Sequence, residues 1–157
     1  MPRTYDLIAF QDAGFSAFHL LQEELLSSIG PGNFCTGVQK LVQSWLVEFL
    51  TERGTFGFHL SSRGTDFVSR FRDQQFPSEQ VARTQFAFAA LRVQSYLDTT
   101  YTADTPLDEQ LDSATLEQVV IQPGRLKLVV QLTTKAGDTV NFAAPIMVLP
   151  NVPTTAA

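Results

Sequence analysis

The chain has little of what catalysis, metal binding or nucleic-acid binding draws on: one cysteine and two histidines in 157 residues, with 17% charged. A lone thiol, Cys35, excludes an internal disulfide and fits a reducing compartment. Metal binding needs clustered thiolates or imidazoles, yet Cys35, His19 and His59 stand apart, with no CxxC, HExxH or EF-hand spacing. No metal site is therefore expected, and Cys35 reads as a free thiol in the loop before a helix. Gly54, Gly57 and Gly64 form neither GxGxxG nor GxxxxGK[ST], and no lysine follows them where a phosphate would need it. A nucleotide loop is rejected and no cofactor is expected. Cations are also scarce: 11 Lys and Arg against 16 Asp and Glu give a net charge of −5 and a pI near 4.9. A protein that works by neutralising phosphates has the opposite balance, so nucleic acid is not an expected partner. No stretch approaches the ~20 apolar residues of a spanning helix. The opening MPRTYDLIAF carries charge where a signal peptide has an apolar core, so no membrane partner is expected and the chain should stay where it is made.

What is present is apolar. Hydrophobic residues make up 44% of the chain and 13 are Phe, in a length suited to one domain around one core. The surplus reads as a Phe-rich core, with part of it available to partners.

The pattern predicts the elements in order. Thr4 to Phe10 forms a short first strand. Phe18, Leu21, Leu25 and Ile29 recur at helical steps over 15–29, and Gly30-Pro31-Gly32 stops that helix. Thr36 and Gln39 have capping-box spacing before Val38, Leu41, Val42, Trp45, Leu46 and Phe49, which predicts a second helix ending near Gly54. A short helix over 66–72 follows. After Pro77-Ser78 a long one runs to about Asp98, with Val81, Phe86, Ala89, Ala90, Val93 and Leu97 on one side, broadened by Phe88 and Tyr96. A helix so apolar around its girth is expected between layers. Residues 99–113 read as a loop or small insertion.

The period then changes to two. Leu116 to Gln122 reaches Pro123-Gly124, which suits a type II turn, and Arg125 to Thr133 alternates leucines and Val130 against Arg125, Lys127 and Gln131. After a turn at 135–138, Thr139 to Leu149 returns with Val140, Phe142 and Ala144 on one face. Pro145 lacks the N–H that a central strand donates, which places this strand at a sheet edge or bends it there. The expected fold is α+β: helices packed on a C-terminal antiparallel meander, one domain over 1–150, and a flexible tail over 151–157.

Two charge clusters invite chemistry. Glu48 and Glu52 lie one helical turn apart, as paired carboxylates for glycoside hydrolysis would, although one exposed helix face predicts solvated acids. Arg53, Arg63, Arg70 and Arg72 gather near the glycine-bearing loop. They cap carbonyls, pair with Glu48 and Glu52, or meet an acidic partner, and the sequence leaves all three open.

Leu46-Val47-Glu48-Phe49-Leu50-Thr51-Glu52-Arg53-Gly54-Thr55, then Arg63-Gly64-Thr65-Asp66-Phe67, resembles the helix, LLT-x-x-G-[ST] loop and G-T-x-[FL] segment of the baseplate wedge family of contractile-tailed phages, also called sheath initiators or lysozyme-like baseplate subunits. A helix and a β-meander follow in the same order, and the resemblance covers 38–149. The family's Glu/Pro/Arg-type signature after the helix is reduced here to Glu52 and Arg53, and 1–32 has no counterpart. The resemblance implies a non-enzymatic structural subunit of the virion, assembled in the host cytoplasm. It implies that the helix and loop (Glu52, Arg53, Arg63) join the wedge's helical core. The terminal strand (Val140, Phe142, Ala144, Ile146, Val148) is then offered to the first ring of sheath subunits. An open sheet edge can accept a neighbour's strand, and ring symmetry multiplies each weak contact. Two alternatives are carried: a tail-completion or adaptor protein of the virion, and a peptidoglycan hydrolase acting through Glu48, Glu52 or another acid.

Overall fold

Apolar side chains at helical steps and the switch to a two-residue period account for the architecture of the computed structural model, which describes residues 6–7, 34–54, 63–123 and 125–147. Strand β1 (Asp6–Leu7) pairs antiparallel with β2 (Phe34–Cys35). Three helices follow, α1 (Val38–Leu50), α2 (Phe67–Arg72) and α3 (Glu79–Thr100). A 3-10 turn at Leu107–Glu109 leads to β3 (Leu111–Gln122), β4 (Arg125–Thr134) and β5 (Thr139–Met147), an antiparallel sheet of order β3-β4-β5. The chain is thus a single α+β domain whose helices precede and pack on a C-terminal meander. The expected helix over 15–29, the glycine-bearing loop over 55–62, Gly124 of the expected turn, Val148 and the tail lie outside the described residues.

Aromatic rings join the layers. Trp45 of α1 stacks on Phe49 at 4.5 Å and meets Phe142 of β5 edge-on at 5.7 Å. Phe49 continues to Phe67 at 4.9 Å and to Phe86 of α3 at 5.5 Å. Such pairs contribute about 0.5–1.5 kcal/mol each beyond the area they bury. Under them, Leu126, Leu128, Val130 and Leu132 of β4 are buried on the face the alternation predicts, while Arg125 and Lys127 are exposed on the other.

Three expectations are corrected. The helix that begins at Val38 has Gly37, at φ 60°, in the cap position expected for Thr36, and that residue makes no side-chain cap bond. The buried carboxylate of Glu109 does that work across the fold, accepting from Gly37 N at 3.1 Å and from Lys40 Nζ at 3.1 Å. A negative group thus sits at the positive end of the helix, and the spacing rule cannot see a donor-acceptor pair so distant in sequence. Second, β3 begins at Leu111, inside the stretch read as loop. Its register shifts between Leu111 and Ser113 and again between Leu116 and Gln118. Each extra residue breaks the two-residue period by which strands are recognised. Third, α3 is not enclosed on all sides by the described residues: Ala82, Phe86, Ala89, Ala90, Val93 and Leu97 are buried, but Phe88 and Leu91 are each 63% exposed.

The end of α3 is tied to the sheet by Tyr101, whose hydroxyl oxygen accepts from Leu111 N at 2.8 Å. Burial pushes this phenol up to about 12 from its ordinary 10.0. The folded state therefore holds a proton that the unfolded chain releases, so stability should fall as pH rises from about 10 to about 12. Chemical unfolding of wild type and Tyr101→Phe across that window checks it: the wild type loses more stability than the variant, and parallel curves would contradict the assignment. Leu128→Asp should abolish the cooperative thermal transition. A fully buried position would receive a charge at a cost of several kcal/mol, comparable with the ~5–15 kcal/mol that holds a domain folded. A retained transition would refute the register.

Candidate functional site

Sequence reasoning points to two places, the junction after α1 and the last strand. At the junction Glu48 is not solvated: it is 2% exposed, because it follows Leu41 and Trp45 at helical steps and so shares their inward face. One carboxylate oxygen accepts from Gly64 N, and the other accepts from Arg63 Nε at 3.1 Å. Desolvated acid and returning chain thereby fix one another. Thr65 completes the joint. Its N donates to Thr51 O at 2.8 Å, its O accepts from Arg53 N at 3.2 Å, and its hydroxyl donates to Phe49 O at 2.7 Å, closing an isolated parallel bridge between Glu52 and Thr65.

The outer charges of the junction are spread over its surface. Arg72 grips Glu52 with both terminal nitrogens, at 2.7 and 3.2 Å, and the hydrogen bond and charge of Glu52 hold its guanidinium above its ordinary range. Arg53 faces Asp66 at 3.9 Å, with both side chains about half exposed. Such a contact contributes at most ~1 kcal/mol. The structure thus brings Glu52, Arg53 and Arg63 into one joint, with Arg63 directed inward to Glu48. Arg92 of α3, which the sequence pattern did not single out, donates from Nε to Gly64 O at 2.9 Å and adds the third element.

At the last strand, hairpin geometry decides which backbone groups face outward. Thr134 N donates to Asp138 O at 2.8 Å and Gly137 N donates to Thr134 O at 2.9 Å, so Thr134 and Asp138 face each other as a hydrogen-bonded pair. The β4–β5 register then runs without a shift from Thr133↔Thr139 to Arg125↔Met147. Antiparallel pairs alternate between bonded and non-bonded. Val140, Phe142, Ala144 and Ile146 therefore bond to β4, and the side chains of Phe142, Ala144 and Ile146 are buried in the core. Thr139, Asn141 and Ala143 turn their N–H and C=O away from β4. Pro145, opposite Lys127, falls on the outward phase, where its missing N–H leaves the β4 ladder intact. Of the residues expected to carry strand pairing, Val140, Phe142, Ala144 and Ile146 thus bond inward, and the outward groups belong to their neighbours.

The two margins of the sheet differ. On β3, Leu116 O accepts from Arg83 Nη1 at 3.1 Å and Asp112 O accepts from Gln94 Nε2 at 2.7 Å, both donors coming from α3. Among the described residues no strand pairs with the outer margin of β5. Among the same residues no three His, Cys, Asp or Glu side chains gather as a metal ion would require, and no helix is long and apolar enough to cross a membrane.

Scanned against models of known families the chain matches none, and comparisons with curated proteins and with solved structures return no match either.

Gly54 and Gly64 separate two costs at the junction. Both have positive φ, +84° and +77°, but an added Cβ meets nothing within 4 Å at Gly54 and lies 2.6 Å from Thr51 O at Gly64. Gly54→Ala should lose only ~1–2 kcal/mol in urea unfolding, and Gly64→Ala at least about 2 kcal/mol more, since backbone must also move. Equal losses would contradict the joint.

Proposed function

We propose that the chain is a structural subunit of a contractile phage tail baseplate, joining other wedge subunits and presenting β5 to the backbone of a neighbouring sheath subunit. The observation that carries this reading is the outer margin of β5, with the N–H groups of Thr139, Asn141 and Ala143 directed away from β4. Main-chain pairing along such a margin supplies affinity without a pocket, and repetition around a ring multiplies it. Pro145 limits the segment that can donate, so the partner strand is held by the stretch between the hairpin and that proline.

The motif residues give the second support. Those that carry the resemblance, from Leu46 to Gly54 and from Arg63 to Phe67, form one joint that fixes the angle between α1 and the chain that returns to α2. A subunit that must hold neighbours at set angles needs such a joint. Tail-completion or adaptor work in the same particle would use the same margin with a different neighbour.

Replacing Asn141 by proline tests the proposal. It deletes one outward N–H and leaves the inward bonds of Val140 and Phe142 in place. The isolated variant should keep its circular dichroism spectrum, while electron microscopy of tails assembled with it should show no sheath nucleation. Normal tails would count against strand pairing.

A further inference from the structure

We propose that the cleft between α2 and α3 is a docking site for a helix of a partner protein that carries carboxylates beside paired apolar side chains. The cleft is open, about 320 Å³, and is lined in part by Asp66, Arg70, Gln85, Phe88 and Arg92. This site is independent of the β5 margin and lies on another element.

Charge comes first. The arginines near the junction were open to three roles on sequence alone, and the structure separates them: Arg63 pairs with Glu48, Arg72 with Glu52 and Arg53 with Asp66. Arg70 makes no ion pair or side-chain hydrogen bond among the described residues, and it is half-buried in the cleft wall. Asp66, the one carboxylate among the described residues that line the cleft, already faces Arg53 at 3.9 Å. Among the described residues Arg70 therefore lines the cleft beside an acid that is already engaged. A carboxylate entering it meets a guanidinium that accepts a bidentate partner, in surroundings drier than bulk water.

Shape comes second. Phe88 borders the cleft and, with Leu91 one helical step further, stands 63% exposed. Spacing of three residues puts both on one stripe of α3, parallel to the cleft, with Ala87 also exposed beside them. A helix laid along that stripe would bury two large apolar side chains with its own apolar pair and bring a flanking acid over Arg70. A firm wall helps: Thr65 and Phe67 belong to the joint held by Glu48, and Arg92 is fastened to Gly64 O.

The experiment uses the full chain and designed helical peptides of about 15 residues, titrated by fluorescence anisotropy. Four peptides carry a leucine pair with two Glu, with two Gln or with two Lys, or an alanine pair with two Glu. The Leu/Glu peptide should bind about tenfold or more tighter than the other three. Arg70→Glu should reverse the order in favour of the Leu/Lys peptide, and Phe88→Ser should weaken Leu/Glu binding about tenfold, with circular dichroism unchanged in both variants. Asn141→Pro, aimed at β5, should bind like wild type, so failure here and failure of strand pairing give different results. Equal binding of Glu and Gln peptides, an unchanged order in Arg70→Glu, or no binding by any peptide would overturn the proposal. So would a wild-type dimer in sedimentation that Phe88→Ser dissolves, since the occupant would then be a second copy of this chain.

Discussion

A carboxylate buried near the end of α1 is the constraint on which the placement of the middle of the chain depends. Glu48 has lost its water and must be satisfied from within the protein, and among the described residues the returning segment supplies the donors: the backbone of Gly64 and the guanidinium of Arg63. Stripping one partner from a buried pair of this kind costs ~3–5 kcal/mol, because the remaining charge is stranded. Gly64 is held so close to Thr51 that no side chain fits. With residue 64 fixed, Thr65 bridges to the helix end, Phe67 drops into the aromatic core and α2 is set beside α3. The cleft between them, with Arg70 in its wall, is a consequence of that placement.

The meander faces a different problem, that of its two edges. On β3 the solution is local: two bulges twist the strand, and Arg83 and Gln94 of α3 take up carbonyls that would otherwise stay open. On β5, among the described residues, the device is Pro145, which shortens the run of outward donors without weakening the ladder to β4. Proteins usually blunt exposed edges to avoid pairing with strangers. An edge blunted only at its far end leaves a short, register-defined segment, which suits one partner better than indiscriminate pairing.

Much of this fold was legible in the sequence because its signals are local. The stripe of Leu41, Trp45 and Phe49 marks α1, Pro77-Ser78 marks the start of α3, and the alternation from Arg125 to Thr133 marks β4 with its buried face in the right phase. Pro145 correctly placed β5 at an edge. What escaped was non-local or irregular. The Glu109 cap joins residues far apart in sequence, and the bulges of β3 erase the period that would have revealed its first turn of residues. The charge of Glu48 argues for a solvated position, but its spacing from Trp45 puts it on the inward face, and position prevails because the returning segment satisfies the charge. The outward phase of β5 required the hairpin geometry at Gly137, which fixes which residues bond inward.

Amide hydrogen exchange along β5 tests the central claim most directly. In the isolated chain, the amides of Thr139, Asn141 and Ala143 should exchange fast while those of Val140, Phe142 and Ala144 exchange slowly, and under the proposed function the fast set becomes protected in assembled tails. Protection of the first set already present in the isolated, monomeric chain would show the margin to be closed from within and would contradict the account.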